Sequence, residues 1–265
     1  MSTNGYEFLE INIIGHIATI TMCRSDKLNA LNHQMIAELH SALDELSDNI
    51  QVRAVILTGT GRGFSSGADV TEMLDFQERS ADNSAQMPKP GITDLGLHIR
   101  KMKQPIIAAI NGIAAGAGLA IALACDIRLA SEDARFTCAF VKRSFVPDSG
   151  TSYMLPSLVG IGTAMEMALT GNIYDSKWAL QKGLVNSVVS SNRLLECAND
   201  LASNIADNPP ICVSLIKPLM YLQQAHFCEV LDNEREANYI ASSTQDSKEA
   251  ILSFLEKRTP HYRGE

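Results

Sequence analysis

The sequence lacks the features that mark several large classes of protein. Lysine and arginine number 22 against 30 aspartate and glutamate residues, giving a net charge of −8. No basic cluster is dense enough to follow a phosphate backbone, so we expect no nucleic-acid partner. None of the six cysteines forms a CxxC pair or has a zinc-like spacing to histidine. This pattern predicts no metal site and a reducing, cytoplasmic environment.

Secretory and membrane segments are also missing. No N-terminal stretch combines a charged region with an apolar run, the pattern of a secretory signal. The longest apolar run is interrupted by glycines and followed at once by Asp126 and Arg128, so it is too short to span a membrane. With 46% hydrophobic residues in 265, the chain can bury a sizeable core. We therefore expect a soluble protein with no membrane partner.

The most informative stretch of the chain reads IIAAINGIAAGAGLAIALA and begins at Ile106. Its first part, residues 106–110, is a compact apolar run that predicts a buried strand, and residues 114–124 predict a helix. The predicted start of that helix contains Gly116, Ala117 and Gly118. The first N–H groups of a helix have no internal partner, and with almost no side chain here a ligand oxygen could approach them closely.

A second stretch repeats this construction. Residues 53–58 predict a buried strand, which is followed by the glycine-bearing run GTGRGFSSG and by a helix that begins at Ala68 and Asp69. Two such turns side by side would direct two N–H groups at one oxygen, an arrangement that stabilises an enolate or a tetrahedral oxyanion without a cofactor. The alternative is that the small residues only permit close packing of helix on strand. The glycine spacing does not match the dinucleotide-binding pattern GxGxxG.

Asp148 is the candidate for the proton-moving group that such a site requires. It lies in a turn between the apolar Phe145 and Val146 and the apolar start of the next helix. A carboxylate in that setting would have its pKa raised, which suits a general base. The alternative is structural, because Pro-Asp-Ser-Gly is also a good turn or helix cap.

The remaining pattern predicts an α/β fold with a helical appendage. Residues 6–22 predict a β-hairpin, and a helix capped by Asn32 is expected to run to about residue 48. Residues 75–91 are polar and predict a mobile loop over the site. Beyond residue 190 the chain reads as wholly helical. We therefore expect a core over residues 1–200 and a helical appendage over residues 201–265.

Three segments, FSSGADVTEM (64–73), KQPIIAAINGIAAGAGLAIALACDIRLASEDARF (103–136) and PDSGTSYMLPSLVG (147–160), resemble the crotonase, or enoyl-CoA hydratase/isomerase, superfamily. The resemblance implies a spiral of repeated ββα units with a helical C-terminal region that builds trimers, often paired into hexamers. It implies an acyl-CoA thioester substrate, with coenzyme A as part of the substrate and no separate cofactor, in fatty acid or aromatic acid metabolism. Matching motifs would assign the two oxyanion-hole N–H groups to Ala68 and Ala117.

The departures from the family pattern favour one branch of it. Family hydratases carry two glutamates at the positions that Ala120 and Phe140 occupy here, and neither residue can transfer a proton. Asp148 stands where several family isomerases place an aspartate, and its segment resembles the ring-1,2-epoxyphenylacetyl-CoA isomerases most closely. A single carboxylate suits isomerisation, because it can take a proton from one carbon of the acyl chain and return it to another. We therefore expect an isomerase rather than a hydratase.

Three alternatives remain at the level of sequence. Asp148 could instead be the nucleophile of a hydrolase or dehalogenase acting on an aryl or alicyclic CoA thioester, although the partner histidine of the dehalogenases would fall near Thr93. The chain could also be a hydratase or a non-catalytic CoA-binding protein. The resemblance implies contacts to the CoA thioester at Lys27, Leu28, Ala30, Ser66, Gly67, Ala68, Asp69, Gly116, Ala117 and Phe140, with Phe254 and Lys257 reaching it from a neighbouring subunit. The alternative for Lys257 is a solvated surface role.

Overall fold

The computed structural model describes residues 5–73, 90–221 and 227–261. Within these ranges the strands are β1 (Leu9–Ile14), β2 (Ile17–Met22), β3 (Ala54–Gly59), β4 (Gly63–Ser65), β5 (Ile106–Ile110), β6 (Ile113–Ala115), β7 (Ile127–Ser131), β8 (Arg135–Thr137), β9 (Tyr174–Asp175) and β10 (Ser187–Val189). The α-helices are α1 (His33–Asp48), α2 (Leu95–Lys101), α3 (Ala117–Ala124), α4 (Thr151–Val159), α5 (Ile161–Thr170), α6 (Ser176–Gln181), α7 (Leu194–Ala206), α8 (Pro210–Tyr221), α9 (Phe227–Ser242) and α10 (Gln245–Leu255).

The strands form two sheets. The larger one has the order β1-β2-β3-β5-β7-β10, and the smaller one has the order β4-β6-β8-β9. The predicted hairpin is the antiparallel pair β1 and β2, whereas β2, β3, β5, β7 and β10 pair in parallel. In the smaller sheet, β4, β6 and β8 are also parallel to one another.

Both faces of the larger sheet are covered, which explains why its central strands are continuous apolar runs. All five residues of β5 are buried. On one face, β3 and β5 share a core with α1, whose buried side chains include Met35, Ile36, Leu39, Leu43 and Leu46. On the other face, Ile56 and Ile107 pack with Ala198 and other residues of α7. As predicted, Asn32 caps α1, its side chain accepting a hydrogen bond from the Met35 N–H.

The chain moves repeatedly from a strand of the larger sheet to a short strand of the smaller sheet and then to a helix. β5, β6 and α3 form one such ββα unit, and β3 and β4 lead in the same way to a helical turn at residues 70–73. This is the expected α/β spiral. One boundary was wrong: the helix predicted over residues 114–124 begins at Ala117, because Ile113–Ala115 pairs with β4 and β8 instead.

Two further elements are short. Residues 92–101 form a 3₁₀ turn, Ile92–Asp94, followed by α2, and β10 has three residues. Most of the loop predicted over residues 75–91 lies outside the described residues. The helical C-terminal region is present, but α7 crosses residue 200 while packing on the sheet, and the division into two parts stays a prediction.

None of the helices in residues 5–73, 90–221 and 227–261 is long and apolar enough to cross a bilayer. In the same part of the chain, His, Cys, Asp and Glu side chains nowhere gather into a group of three that could hold a metal ion.

Candidate active site

The two glycine-bearing turns lie side by side, as their shared construction predicted. The parallel pairing of β4 and β6 sets Ser65 opposite Ala114. Ala68 and Ala117 each follow three residues later, so the register carries both alanines to the same end of the smaller sheet. Gly67 allows the turns to touch, because a Cβ on it would lie 2.7 Å from the Ala115 carbonyl oxygen and 3.3 Å from the Ala117 nitrogen.

Glycines on the second turn serve two different purposes. Gly118 packs α3 directly on β4, and a Cβ there would overlap the carbonyl oxygen of Ser65. Gly116 has a φ of +50°, in the region that favours glycine, and the place its Cβ would occupy is open space. The backbone that leads into α3 is therefore tightly packed on one side and open on the other.

The backbone N–H groups of Ala68 and Ala117 stay available. Ala68 forms a parallel bridge with Leu31 that uses the carbonyl of Gly67 and the N–H of Asp69, which turns the Ala68 N–H away from the bridge. The Ala117 N–H is the first of its helix and has no acceptor within that helix. Among the hydrogen bonds between described residues, neither N–H is a donor. Two fixed donors therefore start from adjacent turns.

Asn29 holds the loop that precedes α1 against the first turn. It is fully buried, and its Nδ2 donates to the carbonyl oxygens of Thr60 at 3.0 Å and Gly63 at 2.8 Å. Its Oδ1 accepts from the Arg24 N–H at 2.9 Å, and its own carbonyl accepts from the Ser65 hydroxyl at 2.8 Å. The backbone at Leu28 and Asn29 adopts φ of 50° and 55°, so this loop is held in a conformation that non-glycine residues rarely adopt.

An ion pair joins the same loop to the start of the helical turn after Ala68. Arg24 Nη2 lies 2.9 Å from Asp69 Oδ2, and Arg24 Nη1 donates to the carbonyl of Ala30. Burial acts to raise the pKa of Asp69, but hydrogen bonds from Arg24 and from the Thr71 N–H outweigh it and lower the pKa. The side chain of Asp69 is therefore bound as a carboxylate by Arg24, beside Ala68.

The backbone around Asp148 forms a left-handed turn. Ser149 and Gly150 have φ of 55° and 83°, and the carbonyl of Asp148 accepts from the Thr151 N–H at 2.8 Å. The turn packs against α2 at Gly96, where a Cβ would overlap the Ser149 carbonyl oxygen. Asp148 is therefore both a turn residue, as the structural alternative predicted, and a carboxyl group held at a fixed position.

The Asp148 carboxyl has two hydrogen-bond donors and an unusual pKa. The Ser149 hydroxyl lies 2.9 Å from Oδ1, and Asn238 Nδ2 donates to Oδ2 at 3.2 Å. Burial raises the pKa of Asp148 to about 7, the Ser149 hydrogen bond opposes this, and the charge of Glu234 raises it further. A carboxyl group with this pKa can both accept and return a proton near neutral pH.

Contacts along β8 place Asp148 on the same side of the molecule as the second turn. The Gly116 N–H donates to the carbonyl of Thr137 at 3.1 Å. The next residue, Cys138, is buried, and burial together with the negative charge of Asp148 raises the pKa of its thiol to about 12. Cys138 is therefore a neutral thiol beside the carboxyl group and contributes no nucleophile.

The positions where family hydratases carry glutamates are both buried and apolar in this chain. Ala120 is fully buried in α3, and Phe140 is 8% exposed in the 3₁₀ turn Ala139–Arg143. Lys27 is exposed, and the Ser66 hydroxyl donates to its carbonyl oxygen at 3.1 Å. Near the C-terminus, Phe254 lies under the Arg143 guanidinium, with 4.3 Å between the guanidinium carbon and the ring centroid.

Sequence reasoning missed three residues that shape this site. Asn29 holds the first turn, Asn238 contacts Asp148, and the buried Glu234 accepts from the N–H groups of Gly150 at 2.7 Å and Ser152 at 2.9 Å. Neither Asn238 nor Glu234 has a local signal, because α9 reads as an ordinary amphipathic helix. Only an apolar-to-polar change on the buried side of that helix could have pointed to them.

Comparison with known proteins identifies relatives over nearly the whole chain. The family model described as Enoyl-CoA hydratase/isomerase matches residues 12–265. The chain is 32% identical to the 1,2-epoxyphenylacetyl-CoA isomerase of Escherichia coli (strain K12), covering 97% of this chain and 99% of the relative. It is 36% identical to the short-chain-enoyl-CoA hydratase of Clostridium acetobutylicum, covering 92% and 93%.

A solved structure agrees with this assignment. The enoyl-CoA hydratase/isomerase from Pseudoalteromonas atlantica T6c superposes with a TM-score of 0.88 at 29% identity, covering 97% of this chain and all of that one. Both hydratases and an isomerase are among the relatives, at similar identity. Fold, motifs and matched length lead to one family, and the chain belongs to the enoyl-CoA hydratase/isomerase, or crotonase, family.

Proposed function

We propose that the protein is an acyl-CoA thioester isomerase that shifts a double bond, or a ring isomer, with Asp148 as its acid and base. The observation that carries this proposal is the Asp148 carboxyl, whose pKa is raised to about 7, in a chain that also has two adjacent backbone turns with available N–H groups. In its ionised form Asp148 takes a proton from a carbon of the acyl chain. It then returns that proton to a different carbon, so that no atoms are gained or lost.

The N–H groups of Ala68 and Ala117 would stabilise the intermediate. When the C–H bond breaks, its electron pair moves into the conjugated system and negative charge develops on the thioester oxygen. Two fixed N–H donors at that oxygen lower the energy of the enolate, and removing one such donor typically costs a factor of about 100 to 1,000 in rate. The reaction needs no cofactor, because coenzyme A is part of the substrate.

We prefer isomerisation over hydration because neither Ala120 nor Phe140 can transfer a proton or bind water. Hydration requires a group that orients and activates water in addition to the group that moves a proton. Both residues are buried and apolar, and neither offers a proton or a lone pair to a water molecule. Asp148 alone can complete the isomerisation cycle, since the proton it removes is the proton it returns.

We place the CoA moiety along the loop before α1 and the first turn. The exposed Lys27 and the Ser66 hydroxyl lie together at this edge, and the buried Asn29 holds it in place. The residues proposed to contact the substrate are Lys27, Leu28, Ala30, Ser66, Gly67, Ala68, Asp69, Gly116, Ala117 and Phe140, with Phe254 and Lys257 from a neighbouring subunit.

A homo-oligomer, a trimer or a dimer of trimers, is part of this proposal. Along α8, Ile211 is 74% exposed and Met220 is 73% exposed, with further apolar side chains between them. An apolar helix face of this kind typically marks an interface. Light scattering after size-exclusion chromatography measures the mass directly. A protein that stays a 28.8 kDa monomer at micromolar concentration would contradict this part of the proposal.

The decisive experiment is a turnover screen with 3-enoyl, 2-enoyl and aryl-CoA thioesters, followed by absorbance and mass spectrometry. We expect a 3-enoyl-CoA to be converted to its 2-enoyl isomer without a change of mass. Asp148→Asn should slow this conversion at least about 100-fold, while binding of CoA thioesters stays within about twofold. Asp207→Asn, at an exposed aspartate after α7, is the matched control and should keep full activity.

Other outcomes identify the competing functions. A product heavier by one water would indicate a hydratase. An acyl group covalently attached to Asp148 would indicate a hydrolase or dehalogenase. Binding without turnover across the whole panel would indicate a non-catalytic CoA-binding protein. Full activity in Asp148→Asn would contradict the assigned role of the carboxyl group.

A further inference from the structure

We propose that Asn238, on the C-terminal helix α9, is a positioning residue that orients the Asp148 carboxyl and keeps it a usable base. This inference rests on the proposed function, because it concerns the group that moves the proton. It assigns a chemical task to a helix that the sequence predicted only as part of the oligomerisation region.

The Asn238 amide has a fixed orientation. Its Oδ1 accepts from the Val146 backbone N–H at 2.9 Å. Because a backbone N–H can only donate, the oxygen of the amide must face Val146 and the Nδ2 group must face Asp148. Nδ2 lies 3.2 Å from Asp148 Oδ2 and is a donor only. Asn238 therefore links the backbone N–H of Val146 to the side-chain carboxyl group of Asp148.

The two oxygens of the Asp148 carboxyl group face different donors. Oδ2 faces a donor that cannot turn away, so a proton on that oxygen would compete with the Asn238 N–H. Oδ1 faces the Ser149 hydroxyl, which also lies 3.3 Å from the carbonyl oxygen of Ile92. When Asp148 is ionised, this hydroxyl donates to Oδ1. When Asp148 carries the proton, the hydroxyl can turn and donate to Ile92, leaving its oxygen as an acceptor.

Asn238 should oppose the burial and the charge that raise the pKa of Asp148. Of the titratable groups that interact with the carboxyl, Glu234 on α9 is negatively charged and the Cys138 thiol is neutral. Burial and the Glu234 charge both favour the protonated form of Asp148. A fixed N–H donor favours the ionised form instead. Without Asn238, the carboxyl would retain its proton to higher pH and a smaller fraction would be the base at neutral pH.

The test compares two variants of Asn238 with a matched control. Asn238→Ala removes both contacts, whereas Asn238→Asp retains an acceptor for the Val146 N–H but replaces the donor by a second carboxylate. Asn233→Ala, at an exposed asparagine five residues earlier on the same helix, is the control. Asp148 is titrated by ¹³C NMR of carboxyl-labelled protein, with Asp148→Asn to assign the signal. This measurement requires no substrate.

We expect the pKa of Asp148 to rise by about one unit or more in Asn238→Ala, and further in Asn238→Asp, where a second carboxylate faces it. In the 3-enoyl-CoA assay, the acidic limb of the kcat/KM profile should move by the same amount. At pH 7 the ionised fraction of Asp148 would fall from about one half to about one eleventh, so kcat should fall about fivefold or more, while KM stays within about twofold. Asn233→Ala should match the unchanged protein in every measurement.

Each result has a distinct meaning. If Asp148 titrates at the same pH in the Asn238→Asp variant as in the unchanged protein, the inference is wrong, even if stability or KM changes. If the pKa rises as expected but Asp148→Asn retains full turnover, the electrostatic coupling stands and the proposed function fails. If Asn238→Ala does not fold, the same titration of Asn238→Leu decides the question, because that variant keeps the side-chain volume, removes the donor and adds no charge.

Discussion

Replacing the Asp148 carboxyl by an amide should stabilise the folded protein at neutral and alkaline pH. The pKa of Asp148 is raised from 3.8 to about 7, mainly by burial. The folded state therefore binds this proton more tightly than the unfolded state, and the free energy of unfolding falls as pH rises between about 4 and 7. Above pH 7 the ionised carboxyl group lowers the free energy of unfolding by a constant amount, roughly 4 kcal/mol for a pKa that is raised by about three.

The Asp148→Asn variant removes this cost without removing the contacts. The amide has the shape of the carboxyl, so its oxygen can accept from Asn238 Nδ2 and its nitrogen can donate to the Ser149 oxygen. The Ser149 hydroxyl then donates to Ile92. The gain in stability should rise from near zero at pH 4 to between about 2 and 4 kcal/mol at pH 8, the lower figure allowing for solvent at a partly exposed group.

Urea unfolding followed by circular dichroism, at fixed protein concentration and at four pH values from 5 to 8, measures this gain. Asp207→Asn again serves as the control, because that carboxyl group is exposed and its replacement should change the free energy of unfolding little at any pH. A variant of Asp148 that is no more stable than the unchanged protein at pH 8 would refute the reasoning. A gain that did not depend on pH would refute it equally, since it would not arise from ionisation.

Two further predictions concern the packing that supports the site. Gly118→Ala should destabilise the fold by about 1–3 kcal/mol in thermal unfolding, because its Cβ would overlap the Ser65 carbonyl oxygen. Gly162→Ala, on α5, is the control: a Cβ there meets open space, so the change should be neutral or stabilise the fold by up to about 1 kcal/mol. Equal effects would contradict the close approach of α3 to β4. Lys217→Met should cost about 1.5–3 kcal/mol in urea unfolding, because it removes the ammonium group 2.9 Å from the partly buried Asp126 carboxylate. The Ile106 N–H and the Tyr221 hydroxyl still donate to that carboxylate, which limits the loss. Adding Asp126→Asn should recover part of the loss, and no recovery would contradict the pairing.

The sequence predicted those parts of the fold whose signals are local. The buried strand at residues 106–110 and the capped helix α1 follow from apolar runs, spacing and a cap, all of which lie within a few residues of one another. β4 and β6 were missed because each has three residues, too few to show a period of two. Their stability comes from pairing with each other, and that pairing sets the register of Ala68 and Ala117.

In the candidate site, too, the residue with a local sequence signal was predicted, and the residues that contact it from far along the chain were not. Asp148 was identified from its turn and its apolar neighbours, and its raised pKa has the cause that the sequence indicated. The α9 residues that contact this turn, Glu234 and Asn238, lie far along the chain, with 84 residues separating Gly150 from Glu234 and 90 separating Asp148 from Asn238. A propensity or a spacing rule cannot detect such contacts, because they depend on where α9 docks.

The placement of both residues on one helix has a physical consequence. Glu234 and Asn238 are four residues apart and so share a face of α9. The charge of Glu234 raises the pKa of Asp148, whereas by our inference the Asn238 donor opposes that rise, and both reach the same turn. If α9 moves away from the turn as a unit, the two effects weaken together and partly cancel. A single substitution removes only one of them. The pKa of Asp148 should therefore tolerate small shifts of α9 better than it tolerates a change at either residue.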